Sequence, residues 1–223
     1  VVDVVERFVT VRGARHEVHE VHVGAPRSTT LVFLHEGLGS ISQWRGFPAA
    51  VARAVGLDAV VYDRRNHGGS DPLQAPRGRH YHLEEAELLD DLLDELDIDR
   101  AVTYGHSDGA TIALLHAAAH TRRVAAVISE AGHVVAEEAA RHGIRHARHR
   151  FHTGRLRDAL RAHHRGHVDA MFDAWADTWL DPMFEGWSIV DDLAPIVAPV
   201  FVIQGAHDEY ATPAHVDWIA DAV

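Results

Sequence analysis

The residues best suited to covalent chemistry stand at Gly105-His106-Ser107-Asp108-Gly109, a serine with glycine two positions before and two positions after it. A hydroxyl at the tip of a sharp strand-to-helix turn is held clear of its neighbours, and such a turn leaves no room for side chains at those two positions. Ala101-Val102-Thr103-Tyr104 before it reads as a buried strand, and Thr111 to Ala119 after it as an alanine-rich helix. That is the context the turn requires. The free backbone N–H of Asp108, at the helix N-terminus, can then donate to the oxyanion formed when Ser107 attacks an acyl carbon. A glycine-rich loop packed on a helix would carry the same five residues, and the flanking elements favour the nucleophile over it.

Two further segments fit the same chemistry. His35-Glu36-Gly37-Leu38-Gly39-Ser40 directly follows the apolar run Leu31-Val32-Phe33-Leu34, where a second oxyanion N–H is needed. Gly37 is the first choice of donor and Leu38 the alternative. Late in the chain, Phe201-Val202-Ile203 leads into Gln204-Gly205-Ala206-His207-Asp208-Glu209-Tyr210, and Asp208 can orient a histidine and stabilise its imidazolium. Glu209 is the rival for that place, and a turn aspartate the plainer reading.

These motifs resemble the α/β-hydrolase superfamily from about Thr30 to Val223, and most closely its small bacterial members with a short helical cap, which include esterases and carbon-carbon bond hydrolases. Asp63-Arg64-Arg65-Asn66-His67-Gly68-Gly69-Ser70 is similar to the superfamily's D-x-R-G-x-G-x-S loop, with Asn66 in place of its first glycine. Asparagine tolerates the positive φ that such a position requires. Glu36 replaces the glycine that often follows the strand histidine, adding a carboxylate beside the pocket. The resemblance implies Ser107 as nucleophile and Asp208 as triad acid, in the chain order serine, aspartate, histidine. The histidine would follow one more helix and strand. Thr212 to Val223 supplies only the helix, with His215 on it, so the base is expected beyond Val223 and the sheet is expected to lack its final strand. Epoxide and haloalkane hydrolases are disfavoured, because those relatives place an aspartate where Ser107 stands.

The elements that must position these residues are legible as a rhythm. Alternation over Arg7 to Val11 and His16 to Val23 indicates an antiparallel pair. From Leu31 onward, short apolar runs alternate with amphipathic stretches at Phe47 to Val55 and Leu83 to Leu96, the latter carrying a stripe of Leu83, Ala86, Leu89, Leu93 and Leu96. Continuous apolar strands between helices imply an α/β fold, a mostly parallel sheet covered on both faces. The expected organisation is a hydrolase core over residues 1–132, a helical cap over 133–186, and the remainder of the core over 187–223. Trp175 and Trp179, one turn apart, are expected either in the cap's core or on a substrate-facing wall. Glu130 and His133 fall at the carboxyl edge of the sheet, where α/β proteins bind ligands. Glu36, His133, Trp175 and Trp179 are thus the candidates for substrate contact.

Composition narrows the rest. With 223 residues, 47% apolar, the chain suits one domain carrying an insertion. The formal charge of −12 counts its 20 histidines as neutral. Half-protonation near pH ~6.5 would bring it to roughly −2, so the acidity reads as soft. No basic stripe suits nucleic acid, and no apolar run is long enough to span a membrane. The absence of cysteine excludes disulfides and is compatible with a cytoplasmic location. His142, His146 and His149 share a helical face at metal-ligand spacing, yet Arg141, Arg145, Arg148 and Arg150 crowd it and oppose a cation. The expected activity is hydrolysis of a small, largely apolar ester, with no metal or organic cofactor, a small-molecule substrate, and neither nucleic acid nor membrane as a partner. The alternatives are cleavage of a carbon-carbon bond in a dienone acid, and ligand binding without catalysis.

Overall fold

The structure is a computed structural model describing residues 2–24 and 28–223. Seven strands form one sheet: β1 (Asp3–Val11), β2 (Ala14–His22), β3 (Thr30–Leu34), β4 (Ala59–Tyr62), β5 (Ala101–His106), β6 (Val124–Glu130) and β7 (Val200–Ile203), in the order β1-β2-β4-β3-β5-β6-β7. The pairs β1/β2 and β2/β4 are antiparallel, and all pairs from β4 to β7 are parallel. The short apolar runs of the sequence become these central strands, buried on both faces as parallel strands must be.

Strand periodicity divides the core in two. Val32, Leu34, Val60 and Tyr62 face a large cluster shared with α3 (Tyr81–Glu95) and α4 (Asp108–Ala119). Leu31, Phe33, Ala59 and Val61 face a smaller one with α1 (Ile41–Trp44) and α2 (Phe47–Val55). Helix α4 is buried from Asp108 to Ala117, and its small residues let it lie against both β5 and α3.

Helix α3 departs from the stripe read in the sequence. It starts at Tyr81, and Leu83 is exposed, while Tyr81, His82, Glu85, Leu88 and Leu92 are buried. At 100° per residue Leu83 lies opposite Leu92, so the buried arc is centred on a face that includes a histidine and a glutamate. Beyond β6, α5 (Glu138–His152), α6 (Arg155–Arg161) and α7 (Val168–Leu180) pack on one another, and α8 (Ala214–Ala222) follows β7.

At the edge of the sheet β7 pairs with β6 alone among the described strands, and its Phe201 and Ile203 are exposed, Phe201 to 65%. No helix of the described residues is long and apolar enough to cross a membrane.

Candidate active site

The turn at Ser107 has the strain that the glycine spacing predicts. Ser107 adopts φ 52°, ψ −117°, a region costly to a residue with a Cβ. Its N–H donates to Glu130 O (2.8 Å) and its carbonyl accepts from Ala110 N (2.9 Å), so β6 and α4 together hold the conformation. A Cβ on Gly105 would lie 2.2 Å from Gly109 O, and one on Gly109 would lie 2.1 Å from Leu34 O. Both glycines are required by backbone contact, with no flexible neighbour to give way.

Beneath the turn, the Asp108 side chain is buried in a polar cluster. Its carboxylate accepts from Tyr81 Oη (3.0 Å) and from Arg64 (3.4 Å), lies 3.6 Å from His82 Nε2, and Tyr81 Oη in turn accepts from Trp179 Nε1 (2.9 Å). Arg64 is 0% exposed. Burial opposes ionisation of Asp108, and His82, Arg64 and Arg77 outweigh it, holding the carboxyl well below its usual range. The Asp108 backbone N–H is left at the open first turn of α4, beside Ser107.

The loop after β3 is held carbonyl by carbonyl. Glu36 O accepts from Arg64 (3.0 Å), His35 Nδ1 (2.8 Å) and Gly39 N (3.0 Å). Gly37 O lies 3.0 Å from His67 Nε2, and Leu38 O accepts from His164 Nε2 (3.0 Å). Each trans peptide points its N–H opposite its C=O, so the N–H groups of Gly37 and Leu38 face away from these anchors. Neither is spent on a backbone acceptor among the described residues. Gly37 must be small because Trp175 Nε1 would stand 2.3 Å from a Cβ there.

Asp63 receives the N–H groups of Ile41 (2.7 Å) and Gly69 (3.1 Å), and burial raises its pKa to about 7. Asn66 takes φ 71° as expected, and its side-chain amide also donates to Ala170 O of α7 (2.9 Å), a contact glycine could not make. This segment serves the scaffold.

These parts converge on one cavity of about 340 Å³, lined by Glu36, Gly37, Leu38, Ser107, Asp108, His133, Trp175, Trp179 and Asp208, and also by His106 and Tyr210. Ala140, Ile144, Leu156 and Leu160 of α5 and α6 close it with apolar surface. Trp175 and Trp179 are buried, and both also line the cavity. Asp208 Oδ1 accepts from Tyr210 N (2.8 Å) and Oδ2 from Gln204 Nε2 (3.0 Å), whereas Glu209 is exposed and outside the lining.

At the cavity's polar end Glu36 and His106 lie 3.7 Å apart. Burial alone would lower the His106 pKa, but Glu36 outweighs it and holds the imidazole above its ordinary value. Burial lowers the His133 pKa below its ordinary value, and its Nε2 lies 3.3 Å from Tyr210 O. His215 is engaged elsewhere, bonded to Glu137 (3.0 Å) and accepting from Val134 N (3.1 Å). Among the described residues no histidine ring is hydrogen-bonded to Ser107 or Asp208. Nor do three His, Asp or Glu side chains converge on a metal-sized point in the cavity, and His142, His146 and His149 are exposed.

Residues 29–173 match the family model described as alpha/beta hydrolase fold, well over half of the chain. The chain belongs to the α/β-hydrolase fold family. Among curated relatives of this hydrolase-fold chain, epoxide hydrolase A of Mycobacterium tuberculosis is 34% identical over 122 residues, covering 55% of this chain and 37% of that protein. The 2-hydroxy-6-oxononadienedioate/2-hydroxy-6-oxononatrienedioate hydrolase of Cupriavidus pinatubonensis is 32% identical over 130 residues, covering 56% and 44%. The chain thus spans about two fifths of the length of these relatives. A solved structure described as an N-acyl homoserine lactone degrading enzyme superposes with a TM-score of 0.74 at 25% identity, covering 97% of this chain and 88% of that one.

Several site residues of this α/β-hydrolase chain escape motif reading. Arg64, Tyr81 and His82 behind Asp108, His67 and His164 behind the β3 loop, and His106 and Gln204 near the two carboxylates have no spacing signature. The one available signal was the aspartate at position 108 itself, since a charge at the buried start of an apolar helix demands partners.

Proposed function

We propose that this protein is a serine hydrolase cleaving a small, largely apolar ester. The observation that carries the reading is Ser107 in a strained turn, at the mouth of a helix N-terminus, on the wall of an apolar cavity shared with Asp208. In this mechanism Ser107 Oγ attacks the acyl carbon, and the N–H groups of Asp108 and of Gly37 or Leu38 receive the oxyanion. Gly37, whose peptide is fixed through Glu36 O, is the first choice of second donor, and Leu38, whose peptide is fixed through Gly37 O, is the alternative. A histidine takes the serine proton and is oriented by Asp208. Gln204 and Tyr210 hold that carboxylate ready. Helices α5 to α7 act as the cap, with Trp175, Trp179 and His133 contacting substrate beside Glu36. No metal or organic cofactor takes part.

The lactone-degrading structural relative supports ester chemistry, a lactone being a cyclic ester. The Cupriavidus relative supports a second reading, carbon-carbon cleavage by the same serine. Epoxide opening through an enzyme carboxylate has no counterpart where Ser107 stands.

The test is a screen of aryl esters and ring-cleavage products with the polypeptide as its native source makes it. Ester turnover that Ser107→Ala lowers by at least about 10³-fold supports the proposal. Turnover of ring-cleavage products alone selects the second reading. Binding without turnover, unaffected by Ser107→Ala, would overturn both in favour of a ligand-binding protein.

A further inference from the structure

At the far end of α4, roughly 18 Å along the helix from Ser107, a second cluster has no part in the site above. His116 and His120 stand one turn apart with rings 5.0 Å from centre to centre and 27° between planes. Asp90 of α3 reaches both: Oδ1 is 3.2 Å from His116 Nε2, and Oδ2 is 3.3 Å from His120 Nδ1. One ligand atom from each of the three lies within 4.8 Å of the other two.

We propose that Asp90, His116 and His120 form a site for one zinc-class divalent transition-metal ion, fastening α3 to α4.

Zinc with bonds of 2.0–2.1 Å to nitrogen and oxygen has tetrahedron edges of about 3.3–3.4 Å. The separations Asp90 Oδ1–His116 Nε2 (3.2 Å) and Asp90 Oδ2–His120 Nδ1 (3.3 Å) are close to that length but run to different oxygens, so a small shift of the carboxylate is needed to bring one oxygen to both rings. The donor set, two imidazoles and a carboxylate, suits zinc, cobalt or nickel better than magnesium or calcium. His120 has the backing that ligating histidines usually have: with Nδ1 on the metal, its Nε2–H lies 3.2 Å from Glu87 Oε1. A cavity of about 350 Å³, lined by Asp90, Ala119, His120, Thr121, Arg122 and Arg123, gives an ion and a completing water access.

Two features oppose binding and set its strength. Arg123 lies 3.4 Å from Asp90 Oδ1, but it is separately held by Asp94 (2.5 Å) and by Asp90 O (3.0 Å), so it can release the carboxylate without losing its place. Around it the three carboxylates of Glu87, Asp90 and Asp94 stand against two guanidiniums, Arg122 and Arg123, whereas four arginines crowd the histidines of α5. His116 Nδ1 has no partner in the interior, so metal on Nε2 must move the ring proton to an unaccommodated position. The site is therefore expected to bind more weakly than one in which both ring nitrogens are satisfied.

Cobalt(II) titration of the purified 223-residue chain tests this, because tetrahedral cobalt absorbs in the visible and octahedral or adventitious cobalt does so far more weakly. The expected result is one equivalent of tetrahedral cobalt, displaced by zinc, with zinc also raising the melting temperature. His120→Ala and Asp90→Asn should each weaken binding at least tenfold and remove the zinc-dependent rise. The double variant His142→Ala/His146→Ala on α5 should change neither. Should Asp90→Asn fail to fold, His120→Ala, on the partly exposed residue, decides alone. Absence of the tetrahedral band, or a band that survives His120→Ala, would show a hydrogen-bonded network in which Asp90 accepts two imidazole protons and nothing more.

Discussion

Gly109 has a carbonyl where a methyl group would have to go. With Leu34 O at 2.1 Å from an added Cβ, Gly109→Ala must displace β3 or α4 backbone, and a loss of about 1–3 kcal/mol is expected in urea unfolding. The same variant should abolish reaction of Ser107 with an alkyl phosphonate. Tyr81→Phe probes the polar floor: it removes a donor to Asp108 and the acceptor for Trp179, leaving two buried groups short of a partner. A cost of about 1–3 kcal/mol is expected, checked by the same unfolding experiment, with the cavity left in place. These two residues show what a sequence reveals. The elbow glycines are legible because their constraint is local, set by a turn four residues wide. Tyr81 and Arg64 are 27 and 44 positions from Asp108, and only the packing of α3 and the β4 loop brings them to it.

Helix α3 and the helices beyond β6 show the same limit one level up. The βα rhythm and the order of central strands follow from runs of apolar residues, so the sheet was readable. Along α3 and its C-cap the stripe residues Ala86, Leu89, Leu93 and Leu96 are buried and only Leu83 is exposed; the buried face extends past the stripe because Tyr81, His82 and Glu85 turn inward to serve Asp108 and Arg77, and apolar stripes do not register such residues. His164, in the turn between α6 and α7, is the least readable part of the site. It accepts from Gly68 N (3.1 Å) and donates to Leu38 O (3.0 Å), joining the loops after β3 and β4 to the helices above. Replacing it with phenylalanine should cost about 1–3 kcal/mol in stability, since a buried N–H and a carbonyl lose their partner. Freeing Leu38 O also loosens the loop that carries the Gly37 and Leu38 N–H groups, so phosphonate labelling of Ser107 should slow, measured as the adduct formed by intact mass against time.

For the molecule as a whole, the histidines revise the reading of charge. Nine of them, His16, His35, His67, His82, His116, His133, His164, His167 and His215, are held below the ordinary value by burial. They carry less charge near pH 6.5 than free imidazoles would, so the folded protein is more negative there than half-protonation of all its histidines implies. His164 and His215 fall to about 4 from an ordinary 6.5, so between those values the unfolded chain binds protons that the fold refuses. Their contribution is present above pH 6.5 and is lost as pH falls towards 4. Asp63, raised to about 7, and His106, held above its ordinary value, work with the opposite sign, but they are two groups against several. The urea midpoint should therefore drop from pH 7 to pH 5, and a flat profile would contradict the buried-neutral assignment.

The position of β7 has a consequence in time. Ser107 follows β5, which is paired on both sides by β3 and β6, whereas Asp208 follows β7, which among the described strands is paired on one side. Amide hydrogens of β5 should exchange only on global unfolding, and those of β7 and the Gln204 to Tyr210 turn through cheaper local openings, orders of magnitude faster. The carboxylate and the hydroxyl of one site would then run on separate clocks: the acid side samples open states many times over while the nucleophile stays locked in its strand.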